Sequence, residues 1–396
     1  MSQPLKGIRI LDLSRLLPGA YASQMLADMG AEVIKIEEPG KGDYSRHMPP
    51  LGPGEMGISF TAINHNKRSI ALNLKTDKGR EIFHRLLQNS DVLLESFRPG
   101  VMQRLGLGYD DLKVLKPGLI YCAISGYGQD GPYSQRAGHD LNYQGYAGLL
   151  HYNRDEAGQP VMPPTQLGDL AGGGYMAVIG ILGALVGRAQ SGEGRMIDVS
   201  MTEGAMSLLP LAIAAYLNTG HAPIPGHSAL DGSLPCYNIY ETQDGKHVTL
   251  AALEYKFWHT FCTHIGHLEL LPFHMPVGPE ERAQALEMLR GIFKTHTRDE
   301  WIAALSEIDA CIGPVYSIDE ALNDPHARAR DIRVKSKVGT GSHETIETLQ
   351  TFPRISNEVK KQRYPIPTLG ADTIELLHEA GYSEQEIEQL KTGGHI

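Results

Sequence analysis

Residues 8–40 read IRILDLSRLLPGAYASQMLADMGAEVIKIEEPG, and this stretch decides the fold class. Ile8–Leu13 is an apolar strand candidate, Pro18–Met29 reads as a helix ending at Gly30, and Glu32–Ile36 is a second strand closed by the turn at 37–40. The alternation continues with a strand at Ser69–Leu74, a helix at Lys78–Gln88, and strands at Asp91–Leu94 and Leu119–Ile124. Short strands separated by helices predict an α/β fold with a largely parallel sheet. In such sheets ligands gather at the carboxyl ends of the strands.

Further on, Arg195–Ser200 reads as another buried strand and Glu203–Leu217 as a helix. A loop rich in Pro, Gly and His at 221–235 marks a domain boundary. Beyond it, residues 237–253 form a hairpin pattern turning at Asp244-Gly245, followed by helical segments to about Leu305. The section from about Thr351 is partly irregular and ends in a polar helix near Ser383–Lys391.

A chain of 396 residues exceeds the usual size of a single core, which favours two domains. The net charge of −10 argues against general binding to nucleic acid or to an anionic membrane, so an anionic ligand needs a local basic pocket. Positive charge is concentrated between 35 and 104, in Lys35, Lys41, Arg46, Lys67, Arg68, Lys75, Lys78, Arg80, Arg98 and Arg104. Lys78 and Arg80 fit a solvated helix face, whereas Lys75 and Arg98 fit contact with phosphate. The cysteines, Cys122, Cys236, Cys262 and Cys311, have no metal-ligand spacing and read as reduced thiols of a cytoplasmic protein.

The chemistry concentrates in 137–187. Ala-Gly-His-Asp-Leu-Asn-Tyr at 137–143 leads to Gly168-Asp169 and then to LAGGGYMAVIGILGALVG at 170–187. This uncharged run approaches membrane-spanning length, but its glycines and the flanking Asp169 and Arg188 favour a tightly packed helix of a soluble protein. Asp169 suits a helix N-cap. A cap does not need Gly172–Gly174, which weaken a helix by about 1 kcal/mol each and let another backbone or a ligand come close. The helix dipole is expected to keep Asp169 ionised, as a base or nucleophile. Gly126-Tyr-Gly128-Gln-Asp-Gly131 matches a dinucleotide fingerprint, but no apolar helix follows, so a glycine-rich turn beside a ligand is the better reading.

Four stretches together resemble the family III CoA-transferases, a group that includes the α-methylacyl-CoA racemases. They are PLKGIRILDLSRLLPGAYASQMLADMGAEVIKIE at 4–37, ESFRPGVMQRLGLGYDDL at 95–112, GYGQDGPYSQRAGHD at 126–140 and LGDLAGGG at 167–174. The resemblance implies a Rossmann-like large domain built from both chain ends, with a smaller α+β domain inserted. The expected division is 1–225 for the N-terminal, CoA-binding part of the large domain, 226–325 for the small domain, and 326–396 returning to the large one. It also implies an interlocked homodimer acting on an acyl-CoA, with coenzyme A as the substrate's carrier, no tightly bound cofactor and no metal. Arg15, Leu16, Leu72, Asn73, Leu74, Lys75, Ser96, Phe97, Arg98 and Arg104 fall where family members contact CoA.

Both chemistries of the family would use Asp169. In a transferase it attacks the thioester, passing through an anhydride and an enzyme-bound thioester. In a racemase Asp169 and His139 are two bases on opposite faces of the α-carbon. His139 favours the racemase, because transferases commonly carry an aromatic residue before the following Asp. The segment Asp231-Gly232-Ser-Leu-Pro235 is also similar to that of the racemases, and Glu254 matches a glutamate that orients the catalytic imidazole. Asp140, Asn142 and Tyr143 are expected to shape the substrate pocket, with Asn142 near the thioester oxygen. Backbone N–H groups at the start of the helix after Asp169 are expected to receive the enolate oxygen. The segment before Asp169, Leu170, and Tyr255-Lys256 depart from the usual racemase pattern and bear on the acyl group. The expected reaction is inversion of a 2-methylacyl-CoA through an enolate, with CoA transfer as the alternative.

Overall fold

A computed structural model of the protein describes residues 3–155, 157–339, 341, 343–349, 353, 355 and 362–396. Of the partly irregular section expected from about Thr351, residues 351, 352, 354 and 356–361 lie outside these residues, and the polar helix expected near Ser383–Lys391 is Glu384–Thr392. Six parallel strands form the main sheet: β1 (Arg9–Asp12), β2 (Glu32–Glu37), β3 (Lys67–Ala71), β4 (Val92–Glu95), β5 (Ile120–Ser125) and β6 (Met196–Ser200). Their order is β3-β2-β1-β4-β5-β6. Ile10 of β1 stands between Val33 of β2 and Val92 of β4, so the order reverses on either side of β1. That is the Rossmann arrangement, and the crevice above β1 and β4 is its ligand position.

Alternation along the strands supplies both faces. Leu11, Ile34, Leu93 and Tyr121 point to one core, shared with Phe83 and Leu86 of the helix Asp77–Gln88. Ile10, Val33, Val92 and Ile120 point to the other, shared with Met25 and Leu26 of the helix Pro18–Asp28 and with Val178 and Ile181. The C-terminal segment completes the first core with Leu376, Leu377, Ile387 and Leu390. It also closes the free edge of β3, where the Ser69 N–H donates to Asp372 at 2.8 Å and the Ala71 N–H to Thr373 at 3.0 Å.

The chain separates into two compact units. One comprises Met1–Leu149, Met162–Leu209 and Asp331–Ile396, and the other Leu150–Val161 and Pro210–Arg330. The large unit is thus built from both chain ends, while its limits differ from 1–225 and 326–396. Pro210 is one reason: it interrupts the helix expected over Glu203–Leu217, which divides into Met201–Met206 and Pro210–Thr219. The second helix groups with the inserted unit, as does 150–161, where Arg154 bridges Pro160. Within the inserted unit β7 (Tyr237–Glu241), β8 (His247–Ala251) and β9 (Ile312–Pro314) form an antiparallel sheet. Its core holds Trp258, Phe261, Phe293 and Trp301.

The apolar run at 170–187 lies within a continuous helical stretch, Gly168–Ser191, which is long and apolar enough to cross a membrane by composition alone. Ala177, Val178, Ile181 and Ala184 are instead buried on the sheet. Its first two turns, Gly168–Tyr175, are wound as a π-helix. There Gly172 meets Gly204 of the helix Met201–Met206 backbone to backbone. A Cβ on Gly172 would stand 2.8 Å from the Ala205 nitrogen, and one on Gly204 2.6 Å from the Gly172 Cα. Gly204→Ala is therefore expected to lower stability by about 1–3 kcal/mol through overpacking. Gly291→Ala, in the helix Pro279–Phe293 with open space around it, should be neutral or gain up to about 1 kcal/mol. Thermal or denaturant unfolding of the two variants checks the contrast.

Candidate active site

The loop after β1 is held in shape by a buried ion pair. Leu16 takes a left-handed conformation (φ 61°), and its N–H donates to the Asp43 carboxylate at 3.2 Å. Asp43 is itself paired to Lys35 at 3.0 Å, with both side chains buried. The next loop of the crevice, after β4, is joined to this one where the Arg15 N–H donates to Ser96 Oγ at 3.1 Å. Beside them opens a cleft of about 460 Å³, lined among others by Arg15, Lys41, Tyr44, Leu72, Asn73, Leu74, Lys75, Phe97 and Arg104. Seven of the ten residues expected to contact CoA line it. Leu16 and Ser96 serve behind the surface as loop braces. Arg98 is exposed on the adjoining turn, where its charge opposes the rise in the Tyr143 pKa.

Within the basic cluster Lys78 and Arg80 pair with Glu81 and Asp77 of their own helix, and two other groups of cations stand apart. Lys35, Arg46, Lys67 and Arg68 are buried in ion pairs that tie the sheet together. Arg46 grips Glu37 with two nitrogens, at 2.7 and 2.8 Å, and Lys67 donates to Asn64 at 2.7 Å and approaches Asp12 at 3.4 Å. These four are structural and stand apart from the phosphate-binding role expected of the cluster. Arg15, Lys41 and Lys75 instead converge on the single carboxylate of Glu38, at 3.6, 3.5 and 3.2 Å. The Lys75 hydrogen bond, then the surrounding cations, hold Glu38 below the usual carboxylate range. With Arg104 at the same cleft, positive charge is left in surplus, the condition for binding phosphates.

His139 is exposed and extended (φ −130°, ψ 175°), and the helix Asp140–Tyr146 starts directly after it. The Asn142 side chain accepts the His139 N–H at 3.1 Å. Asp140 ties this corner to the π-helix. One of its oxygens accepts the Asp169 N–H at 2.9 Å, and the other accepts from Gln144 at 2.6 Å. His139 and Asp169 therefore flank Asp140, one through a peptide bond and the other through a hydrogen bond.

Asp169 lies inside the first π turn, and Leu167 takes the cap position. The expected N-cap role does not apply. The glycines at 172–174 admit other parts of the protein: Gly172 faces the backbone of the Met201–Met206 helix, Gly173 the side chains of Pro18 and Met201, and Gly174 the Tyr21 ring and the Pro18 carbonyl. The dipole expected to keep Asp169 ionised is outweighed. Burial first, and then the like charge of Asp140, push its carboxyl up to about 7. Of the N–H groups expected to receive the enolate oxygen, that of Leu170 is already committed to the Gln166 carbonyl at 2.8 Å, and the N–H of Asp169 itself goes to Asp140.

Tyr143 is buried beside this pair, and its hydroxyl donates to the Gly138 carbonyl at 2.5 Å. Burial, then the Asp169 charge, raise its pKa to about 12. A Cβ on Gly126 or Gly138 would stand 2.5 or 2.7 Å from the Tyr143 ring. Gly126, the first glycine of the apparent dinucleotide fingerprint, thus makes room for an aromatic ring, as does Gly138. Tyr127 packs edge to face on the Tyr143 ring and, in turn, on Tyr133 and Tyr146, which tilt against each other. Arg136 lies over Tyr133 at 3.8 Å and donates to the Tyr146 hydroxyl at 2.8 Å. Sequence reasoning singled out Tyr143 but missed its packing with Tyr127, and it missed the role of Glu38. It also missed Gln144, whose i+4 spacing from Asp140 on a helix was the available signal. Glu254 is exposed at the head of the helix Tyr255–His264, in the other compact unit.

Comparison with known proteins finds relatives along nearly the whole chain. The model of CoA-transferase family III matches residues 5–373. An acyl-CoA transferase of Fusarium pseudograminearum (strain CS3096) is 35% identical over 404 residues, spanning 99% of this chain and 88% of the relative. The α-methylacyl-CoA racemase of Homo sapiens is 34% identical over 391 residues, spanning 98% and 96%. Among solved structures, a CAIB/BAIF family protein from Brucella suis superimposes with a TM-score of 0.82 at 29% identity, covering 96% of this chain and all of that one (100%). The likeness in fold and the match along the sequence agree, and the chain belongs to CoA-transferase family III.

Proposed function

We propose that the protein is an acyl-CoA racemase that inverts the α-carbon of a 2-methylacyl-CoA. The observation that carries this reading is the Asp140 bridge, which holds the corner bearing His139 against the turn bearing Asp169. Two proton-carrying groups in one constellation serve inversion, whereas transfer needs only the carboxylate. A carboxyl poised at about 7 gives and takes protons at neutral pH.

In one direction the Asp169 carboxylate removes the α-proton. The C–H electron pair moves into the thioester carbonyl as an enolate, and protonated His139 returns a proton to the opposite face. The reverse direction exchanges the two roles. The oxyanion requires a donor, and Asn142 fits: its carbonyl oxygen holds the His139 N–H, which leaves its amide NH₂ for the thioester oxygen. Coenzyme A enters as the substrate's carrier, with its phosphates toward Arg15, Lys41, Lys75 and Arg104 and without a tightly bound cofactor. Glu254 is assigned from the family resemblance as the group that orients the imidazole. CoA transfer through Asp169 is the second reading, favoured by the similarity to an acyl-CoA transferase.

Incubation of 2-methylacyl-CoA in heavy water without free acid should place deuterium at C2 and erase stereochemical purity. Absence of exchange, with CoA moving to an added carboxylic acid, would establish transfer instead. His139→Ala should reduce racemisation by about 10²–10⁴ and leave any transfer through Asp169 largely intact.

The pH profile tests the assignment of Asp169. Where Asp169 is the base it must be ionised, so kcat/KM in that direction should fall as pH drops below about 7. Asp140→Asn removes a like charge and should move this limb to lower pH. Burial, the larger cause, keeps it above the usual aspartate value.

The reading includes an obligatory homodimer. What supports it is apolar surface in need of cover: Ile179 and Val186 on the Gly168–Ser191 helix are 62% and 64% exposed, and Leu211 and Leu217 on the helix Pro210–Thr219 are 71% and 73% exposed. A second copy of the chain is the proposed occupant. Sedimentation should give a dimer that Leu211→Glu with Leu217→Glu dissociates or weakens, and a stable wild-type monomer would overturn the assignment.

A further inference from the structure

Glu95 ends β4, the strand at the reversal of the sheet, and its side chain is 4% exposed as a residue. The other buried acids each have a basic partner: Asp12 has Lys67, Glu37 has Arg46, Asp43 has Lys35 and Asp28 has His65. Among the described residues no Lys, Arg or His lies within ion-pair distance of Glu95. Instead one carboxylate oxygen accepts the Phe97 N–H at 2.7 Å, and the other lies 3.5 Å from the Tyr121 hydroxyl. Burial pushes the carboxyl up to about 7, against the opposing pull of the Phe97 N–H. An uncompensated buried carboxyl is costly, and a structural role alone would be met as well by an apolar side chain.

What the Phe97 N–H controls is the loop Ser96–Gly100. The Phe97 ring lies under the Arg15 guanidinium at 5.6 Å, and Tyr44 lies under it at 5.1 Å. Ser96 Oγ takes the Arg15 N–H. Arg15, Phe97 and Tyr44 all line the cleft with surplus positive charge. Holding one backbone N–H therefore fixes both the aromatic seat of Arg15 and the hydroxyl that anchors its backbone.

We propose that Glu95 is a positioning residue for the phosphates of coenzyme A, acting through the Phe97 N–H to hold the Ser96–Gly100 loop and, through it, Arg15. This rests on the assignment of the cleft to coenzyme A and is independent of the choice between racemisation and transfer. Glu95 does not touch the substrate. Its removal acts on recognition of the phosphate end and leaves the reacting end alone.

The test compares two thioesters with the same acyl group, one of full coenzyme A and one of pantetheine, which lacks the phosphates, in the full-length protein. Glu95→Leu should raise the KM for the CoA thioester and the Kd of coenzyme A about tenfold, the order of one charge-assisted hydrogen bond. The KM for the pantetheine thioester and kcat should stay within about twofold by the same argument. Glu95→Gln retains an oxygen acceptor for the Phe97 N–H and should recover most of the loss. Equal losses with both thioesters, equal losses in Glu95→Leu and Glu95→Gln, or wild-type coenzyme A affinity in Glu95→Leu would overturn the proposal. If Glu95→Leu does not fold, hydrogen exchange of the wild-type Phe97 amide decides: protection well above that of an open loop is expected, and its absence refutes the clamp. Wild-type protein whose coenzyme A affinity is unchanged by Lys75→Ala with Arg104→Ala would instead remove the assignment of the cleft, a result separate from any behaviour of Glu95.

Discussion

The backbone contact of Gly172 with Gly204 is the constraint on which the site depends. Two helices can touch this closely only where neither has a side chain in the way. The helix that gains this proximity begins as a π-helix, whose wider turns are a recurrent feature of functional sites. Asp169 is carried on the first of these turns, deep enough for burial to become the leading influence on its carboxyl. Asp140 then acts twice, fixing the turn through the Asp169 N–H and adding a second negative charge nearby. Close packing, helix geometry and proton affinity are thus consequences of one pair of glycines.

Charge in the large unit is arranged on a related principle. Cations and carboxylates that are matched closely, such as Lys35 with Asp43 and Arg46 with Glu37, are buried and hold loops in place. Cations that outnumber their carboxylate, around Glu38, face the cleft. The buried group gives Leu16 its left-handed conformation, and so the first group shapes the opening in which the second is displayed.

Much of the fold was legible because apolar alternation and turn residues are local signals. The strands of the first 125 residues lie within about three residues of their expected ends. The less legible parts depend on partners distant in sequence. Lys35 and Lys67 read as members of a phosphate pocket until the carboxylates opposite them are known. Pro210 was a local signal for the division of a helix, and the apolar residues on both sides of it outweighed it. His139 and Asp169 were singled out by motif, but their connection through Asp140 required the fold. Neither the raised proton affinity of Asp169 nor the commitment of its N–H could be read from a string in which burial is invisible. The glycine at 126 suggested a turn beside a ligand, since a sequence does not say that the close neighbour is the ring of Tyr143.

The closure of β3 by the C-terminal segment has a consequence for synthesis. Leu376, Leu377, Ile387 and Leu390 belong to the same core as Leu11, Ile34 and Leu93. While the ribosome is still translating the inserted unit, the first half of the chain has an open sheet edge at β3 and apolar side chains without their final neighbours. The inserted unit has a core of its own and can consolidate meanwhile. The large unit must wait for the last residues to be made. A cell producing this protein quickly therefore holds a population of nascent chains with an exposed strand edge, the kind of surface that chaperones recognise.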